Sequence, residues 1–375
     1  MAIDNKDKKI LNVPHLRFPE FSGEWKNVIL KDVSDFQKER ISSELLDENT
    51  YISTENILQN FEGVQSANSI PANTNVIAYK EDDILLSNIR PYLKKVWFAD
   101  RIGGCSADVF VLRSKCCEPK FLYNVIASDK FINYIMSGAK GVKMPRGDKK
   151  QMESFSFSIP SIEEQRKISR LLHILDERIA TQNKIIEDLK KLKSAISERL
   201  FKSVKGFTVL LSDLCDIVKG KQINGENLSD SGNYYVMNGG TEPSGYYDNY
   251  NVEASTISIS EGGNSCGYVQ FNTSPFWSGG HCYSIQNIAD KVDNMYLYHY
   301  LKSNEDAIMK LRIGSGLPNI QKKDLAMFKI IVPKIEWQIK ISTFLSSLER
   351  KAEIEERIQN VMQKQKLYLL QQMFI

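Results

Sequence analysis

Between residues 168 and 200 the apolar side chains return every seven positions in two interleaved series. Ile168, Leu175, Leu189 and Ile196 form one, and Leu172, Ile179, Ile186 and Leu200 the other. Only Gln182 and Lys193 interrupt them. The pattern comes back further along, with Ile341, Leu348, Met362 and Leu369 in the first series, Leu345, Ala352 and Met373 in the second, and interruptions at Glu355, Gln359 and Lys366. Two of these, Glu355 and Lys366, stand where Gln182 and Lys193 stand in the first copy, so the register passes through both copies without an insertion. A seven-residue apolar repeat sustained over this length predicts a long helix whose stripe is buried against another helix. Each copy predicts about 40 helical residues, on the order of 60 Å at 1.5 Å per residue.

A near-duplicate phrase introduces each stripe: "IPSIEEQRKIS" at 159–169 and "VPKIEWQIKIS" at 332–342, identical at seven of eleven positions and offset by 333 − 160 = 173 residues. Pro160 and Pro333 suit the start of a helix, where a missing N–H costs nothing. A period of this size is too long for a solenoid unit and reads as a duplicated module.

The segments between the stripes alternate in another way. "NVIAYK", "DILLSNI", "KKVWFA" and "DVFVL" predict strands before the first stripe, and "STISIS", "GYVQF" and "CYSI" before the second, separated by Gly, Asn and Asp turns. Both regions open alike, "VILKDVSD" and "VLLSDLCD". Both close on a Gly-x-x-x-Pro loop, "GVKMPRGDKKQMESFSF" at 141–157 and "GSGLPNIQKKDLAMFKI" at 314–330, again 173 apart. The middles differ freely. Four segments follow: a β-rich domain over 1–160, a long helix over 161–205, a second β-rich domain over 206–334 and a second long helix over 335–375.

A chain of 375 residues accommodates two or three domains. The polar start "MAIDNKDKKI" lacks the apolar run of a signal peptide, and no window approaches the length of a membrane span, so a cytoplasmic protein without a membrane partner is expected. Cysteines at 105, 116, 117, 215, 266 and 282 show neither Cys-x-x-Cys spacing nor paired histidines, which predicts reduced thiols and no metal site. Net charge is +3, too near neutral to announce nucleic-acid binding by itself. Its distribution is uneven: residues 162–205 carry 11 basic against 7 acidic residues, and 206–334 carry 10 against 13.

Catalytic motifs are scarce. "GNSCG" at 263–267 matches a nucleophile elbow with Ser265, but an elbow needs a helix after its strand, and here the strand-like "GYVQF" follows, so a tight hairpin turn is the better account. A triad would have to use His281. His281 and Cys282 are expected as packing residues. No phosphate-binding glycine loop, dinucleotide fingerprint, His-Glu-x-x-His or amino-methyltransferase signature is present.

The opening "VPHLRFPEFSGEWKNVILKDV", the "IRPYLKKVWFA" segment and above all "GSGLPNIQKKDLAMFKIIVPKIEWQIKIS" with its earlier copy resemble the DNA-specificity subunits of type I restriction-modification systems, over nearly the whole chain. The resemblance implies an α+β protein. Its two β-rich target-recognition domains would be held apart by two long antiparallel helices, an intramolecular coiled coil with a pseudo-twofold repeat. It also implies partners: double-stranded DNA with a split site, two methyltransferase subunits, and a restriction/translocase subunit. S-adenosylmethionine, ATP and magnesium would belong to those partners and none to this chain. A coiled-coil adaptor that never touches DNA and a hydrolase using Ser265 remain as alternative readings.

Candidate DNA contacts are the basic and amide side chains of the loops, because Lys and Arg neutralise phosphates while Arg, Asn and Gln also read base edges. In the first domain these are Arg90, Tyr92, Lys94 and Lys95, then Lys140, Lys143, Arg146, Lys149 and Lys150. In the second they are Lys219, Lys221, Gln222, Asn224, Asn238, Asn264, Arg312, Asn319, Lys322 and Lys323. Arg90-Pro91-Tyr92 equally suits a structural turn. For a reader, the acidic balance of the second domain is unusual.

Overall fold

The computed structural model describes residues 12–141, 143–314, 316 and 318–374. Two compact units emerge, and their border cuts both long helices: one holds the described residues up to Thr181 and from Gln359 on, the other Gln182–Ile358. The helices run over Ile162–Ser203, 42 residues, and Ile335–Met373, 39 residues.

In the first unit the opening strand Lys26–Ile29 pairs antiparallel with Ser156–Ile159, the strand that leads into the first helix. An antiparallel sheet follows in the order Ser34–Phe36, Val109–Ser114, Ile84–Ser87, Val96–Phe98, and a mixed one in the order Arg40–Ser42, Asn75–Tyr79, Gly103–Cys105, Tyr51–Ile52, whose last pair is parallel. Leu30, Leu86, Phe121 and Phe131 share a core with Ile168, Leu172 and Met373 of the helices.

The second unit repeats the plan. Phe207–Leu210 pairs with Lys329–Val332, and the main sheet runs Asp216–Lys219, Cys282–Gln286, Thr256–Ser260, Val269–Asn272. Its core joins Leu211, Ile257, Tyr296 and Ile330 to Ile341 and Leu345. A small sheet of Tyr246–Tyr247, Tyr234–Met237 and Trp277–Ser278 repeats the parallel pair of the first unit: Trp277–Ser278 lies beside Val236–Met237 as Gly104–Cys105, its counterpart at the 173 offset, lies beside Tyr51–Ile52. Each strand expected from alternation is found. The helices inside the domains were not expected; the three longest are Pro119–Ile126, Asp129–Ser137 and Asn294–Ser303, N-capped by Glu118, Ser128 and Asp293.

The helical stripe is as the heptads require. Ile168, Leu172, Leu175, Ile186, Ile341, Leu345 and Met373 are buried, and Ile179, Leu189, Ile196, Leu200, Leu348, Ala352, Met362 and Leu369 are half-buried. The interruptions find partners across the antiparallel pair. In the second unit Gln182 Nε2 donates to the main-chain oxygen (3.1 Å) and to Oε2 (2.7 Å) of Glu355, and Lys193 meets Glu349 at 2.7 Å. In the first, Lys366 pairs with Asp176. Polar groups in an apolar seam cost stability unless paired, and in return they fix the register.

The duplicated phrase is explained by its glutamine. Gln165 is buried; its Nε2 donates to the Pro160 oxygen (2.9 Å), and its Oε1 accepts from the Glu118 N–H (2.8 Å). Gln338, fully buried, does the same: Nε2 donates to the oxygens of Pro333 (2.8 Å) and Lys291 (3.0 Å), and Oε1 accepts from the Asp293 N–H (2.9 Å). Glu118 and Asp293 are both N-caps, so one amide roots each long helix on a short helix of its domain. Replacing Gln338 with Ala removes the partner of one buried and two part-buried backbone groups, and a loss of about 2 kcal/mol is expected in chemical denaturation.

His299 lies in the same region, its Nε2 2.8 Å from Ser346 Oγ, and burial pushes its pKa down to about 4 from an ordinary 6.5. A depressed histidine pKa means that the unfolded chain binds the extra proton first. Stability should therefore be full above pH 6.5 and fall as pH drops from 6.5 to 4, by about 3 kcal/mol at most. His299→Gln should flatten that segment of the stability-versus-pH curve in thermal melts; an unchanged slope would remove His299 as its source.

Candidate nucleic-acid interface

In the second unit the strands ending at Lys219 and Ser260 and those beginning at Val269 and Cys282 share one end of the main sheet, by the register Lys219 to Tyr283, Ser260 to Cys282 and Ile259 to Val269. The turn after Ser260 is stitched to three distant segments. The Glu261 N–H donates to the His281 oxygen (2.9 Å), the Gly263 N–H to the Pro318 oxygen (3.0 Å), and the Ile320 N–H to the Glu261 oxygen (2.8 Å), while Ile313 and Asn319 exchange both backbone bonds.

The first unit builds the same frame 173 residues earlier. The Asn88 N–H donates to the Asp108 oxygen (2.8 Å), the Arg90 N–H to the Pro145 oxygen (2.8 Å), and the Gly147 N–H to the Asn88 oxygen (3.2 Å), while Lys140 and Arg146 exchange both bonds. Each bond has its counterpart at constant offset. "GNSCG" is thus the equivalent of "RPYLK", a turn between strands, and Ser265 corresponds to Tyr92. Arg90 (φ 50°) and Lys94 (φ 54°) bracket a short turn at Pro91–Leu93 in left-handed backbone; their counterparts Gly263 (φ 78°) and Gly267 (φ 92°) take the same conformation without a Cβ penalty. The first domain therefore stores strain where Arg90 projects, and strain of this kind gathers at functional sites.

The frame gathers some of the expected residues and turns others away. Arg90, Tyr92, Lys140, Lys143 and Arg146 stand exposed on its loops. Arg146 Nη1 is held by Asp108 Oδ1 at 2.7 Å. Lys140 lies 3.2 Å from Asp148, whose pKa is lowered by the Gln151 backbone N–H and then by Lys140. Lys94 pairs with Asp129 at 2.6 Å, and Lys95 donates to the Thr54 oxygen at 2.6 Å with its pKa lowered by burial, so both are committed within their own unit. Lys149 lies over the Phe36 ring at 4.8 Å, and Lys150 is exposed.

In the second unit Lys219 meets Glu261 at 2.6 Å, and Asn238 Oδ1 accepts from the His281 N–H at 3.2 Å. Gln222 packs against Gly280 closely enough that a Cβ there would collide with its amide. Asn264 and Asn319 stand exposed on the frame itself, with Lys221 and Asn224 on the loop after Lys219. Arg312, Lys322 and Lys323 flank the Asn319 turn, exposed and without an ion pair among the described residues. This collects basic side chains in a domain whose total charge is acidic.

Sequence reasoning missed Asn88, Asp108 and Glu261, and it expected His281 as packing. The His281 side chain is 62% exposed, in a glycine-lined loop, while its neighbour Cys282 fills the core. The His281 Nδ1 faces Glu261 Oε2 at 3.7 Å.

A duplicated β-rich module rooted on paired long helices, with a matching loop frame in each copy, defines a class of two-domain repeat scaffold. Residues 22–191 and 206–364 match the type I restriction modification DNA specificity domain, and the chain belongs to that family. It is 34% identical over 122 residues to a putative type I specificity subunit of Mycoplasma genitalium, a segment spanning 32% of this chain and 31% of that protein. A match to the Mycoplasma pneumoniae counterpart, 32% identical, covers 38% of each. The chain thus spans about a third of the length of these two relatives. Against the specificity subunit of the type I restriction enzyme MjaVIII of Methanocaldococcus jannaschii it is 24% identical over 96% of this chain and 94% of that one. The fold is similar to the crystal structure of the M. genitalium type I S subunit, with a TM-score of 0.70, 18% identity, and coverage of 97% and 99%.

Arg90→Gly should separate strain from function. Thermal melts are expected to show a gain of up to about 1 kcal/mol, from relief of left-handed backbone at a non-glycine residue, together with weaker DNA binding. A variant that gains stability and keeps full affinity would exclude Arg90 from the interface.

Proposed function

We propose that this chain reads a split DNA site, one half per β-rich domain, and docks methyltransferase subunits that modify the site it selects. The observation that carries this reading is the loop frame, repeated bond for bond in two units that each root on the same two helices. The apparatus for methyl transfer, and with it S-adenosylmethionine, belongs in this reading to the docked partners; a further restriction subunit would bring ATP and magnesium.

Support for docking comes from the helices. Besides the buried stripe, the second helix exposes apolar residues at seven-residue spacing, Trp337 with Phe344 in one unit and Val361 with Tyr368 in the other. Apolar side chains of this size left in water on an otherwise polar helix suit a covering partner, and a related structure of 20% identity and TM-score 0.56 comes from work on complex assembly of the type I restriction-modification system.

The long helices act in this reading as a spacer. Two readers on one face of a duplex must respect its helical period of roughly 34 to 36 Å. Methylome sequencing of a strain carrying this chain with its modification partner should reveal a split methylated motif. Inserting one heptad in both helices should then change the unread gap and leave both half-sites intact. Changed half-sites with an unchanged gap would end the spacer reading, and a protein that assembles with its partner but directs no sequence-dependent methylation would favour the adaptor reading.

A further inference from the structure

Resting on the proposed DNA-reading function, we infer that three equivalent positions in each unit determine which bases are read: Asn88, Asp108 and Arg146 in the first, Glu261, His281 and Asn319 in the second. Two of the strands that carry the frame keep four residues at the 173 offset, Ile84 and Ile257, Ser87 and Ser260, Val96 and Val269, Phe98 and Phe271, while the third, 109–112 against 282–285, shares none. The backbone bonds of the frame are also kept. At these three positions the chemistry changes completely: amide to carboxylate, carboxylate to imidazole, guanidinium to amide. A platform that holds its backbone constant while exchanging its hydrogen-bonding groups is suited to reading two different sequences in one geometry.

A second, independent observation marks the same place. Asn88 Oδ1 and Glu261 Oε2 are both buried acceptors with no hydrogen-bond partner among the described residues, and they occupy equivalent positions. Glu261 is 7% exposed, and its other oxygen already accepts from Lys219 Nζ (2.6 Å) and Tyr283 Oη (3.1 Å). A buried acceptor left unsatisfied is costly. Both atoms are closed to solvent in the free chain, so a base meets them only where the loops of the frame part on DNA. The matching major-groove donors are then the exocyclic amines of adenine, which asparagine suits, and of cytosine, which a carboxylate suits. Arg146 complements this. Asp108 holds its Nη1 and orients the guanidinium, which is half-exposed and free along its remaining edge, the fork that pairs with the O6 and N7 of guanine. Asp108 is accordingly a positioning residue. Asn319, in the place of Arg146, presents an amide suited to adenine.

The test uses the full chain assembled with its methyltransferase partner, and the readout is the methylated motif rather than the level of methylation. Arg146→Asn should lose discrimination at one base pair of one half-site, by about tenfold or more, with the other half-site unchanged. Asp108→Ala should relax the same base pair, and Asp108→Asn should restore part of it. Asn319→Arg, an exposed substitution that leaves folding intact, should alter the other half-site alone. Variants that methylate less but keep both half-sites would show that these groups hold the backbone or only the fold, and would overturn the inference while the DNA-reading function stands. A wild-type assembly without sequence preference would instead overturn that function itself.

Discussion

Everything else in this molecule depends on one buried amide per repeat. Gln165 and Gln338 each reach back to the carbonyl of the proline that starts the long helix, and each accepts from the N-cap backbone of a short helix in the β-rich domain. Without those bonds the helix would be joined to its domain by apolar contact, which is strong but tolerant of rotation, and by side-chain pairs such as Ser169 with Glu118 and Ser346 with His299. Hydrogen bonds to fixed backbone groups are directional. They turn a packed helix into an oriented one, and the loop frame at the far end of the same sheet inherits that orientation.

The two scales of organisation were legible to different degrees in the sequence. The long helices declared themselves because a seven-residue repeat over more than thirty residues has no competing interpretation, and even their polar interruptions carried the register. Three strands of each main sheet were readable from alternation, while the edge strands Ser34–Phe36 and Asp216–Lys219 were not. The short helices at Pro119–Ile126, Asp129–Ser137 and Asn294–Ser303 were not, since eight to ten residues hold too few turns for periodicity to outweigh a β-rich neighbourhood. Their caps at Glu118, Ser128 and Asp293 were the signal that was available.

For the interface, residue type identified basic and amide candidates, and the closing loops at 141–150 and 314–323 were found by their repetition. Which of these candidates face outward was not local information. Lys95 is drawn in by the Thr54 carbonyl, and Arg146 is aimed by an aspartate 38 residues away. Asn88, Asp108 and Glu261 have unremarkable neighbours in sequence, and only the backbone bonds among three separated segments give them a common place. The equivalence of "RPYLK" with "GNSCG" is of the same kind. Their residues share nothing, yet the left-handed positions coincide, because the frame dictates the backbone and each copy meets that demand with different chemistry: glycine at no steric cost in one, arginine and lysine under strain in the other.

The charged pairs that lock the helices have a consequence for symmetry. Lys193 pairs with Glu349 and Lys366 with Asp176, and each residue is the 173-offset counterpart of one in the other pair. Lysine and carboxylate thus both occur within every single copy, Asp176 with Lys193 and Glu349 with Lys366. The charged pairs are self-complementary, since a helix from one copy carries both halves of its own lock, whereas Gln182 and Glu355, equivalent positions that bond to each other, fit only the diverged pair. The seam thus follows the pseudo-twofold of the repeat in its ion pairs and breaks it at the centre, so the two copies can differ in their domains while each helix still accepts only the other as its partner.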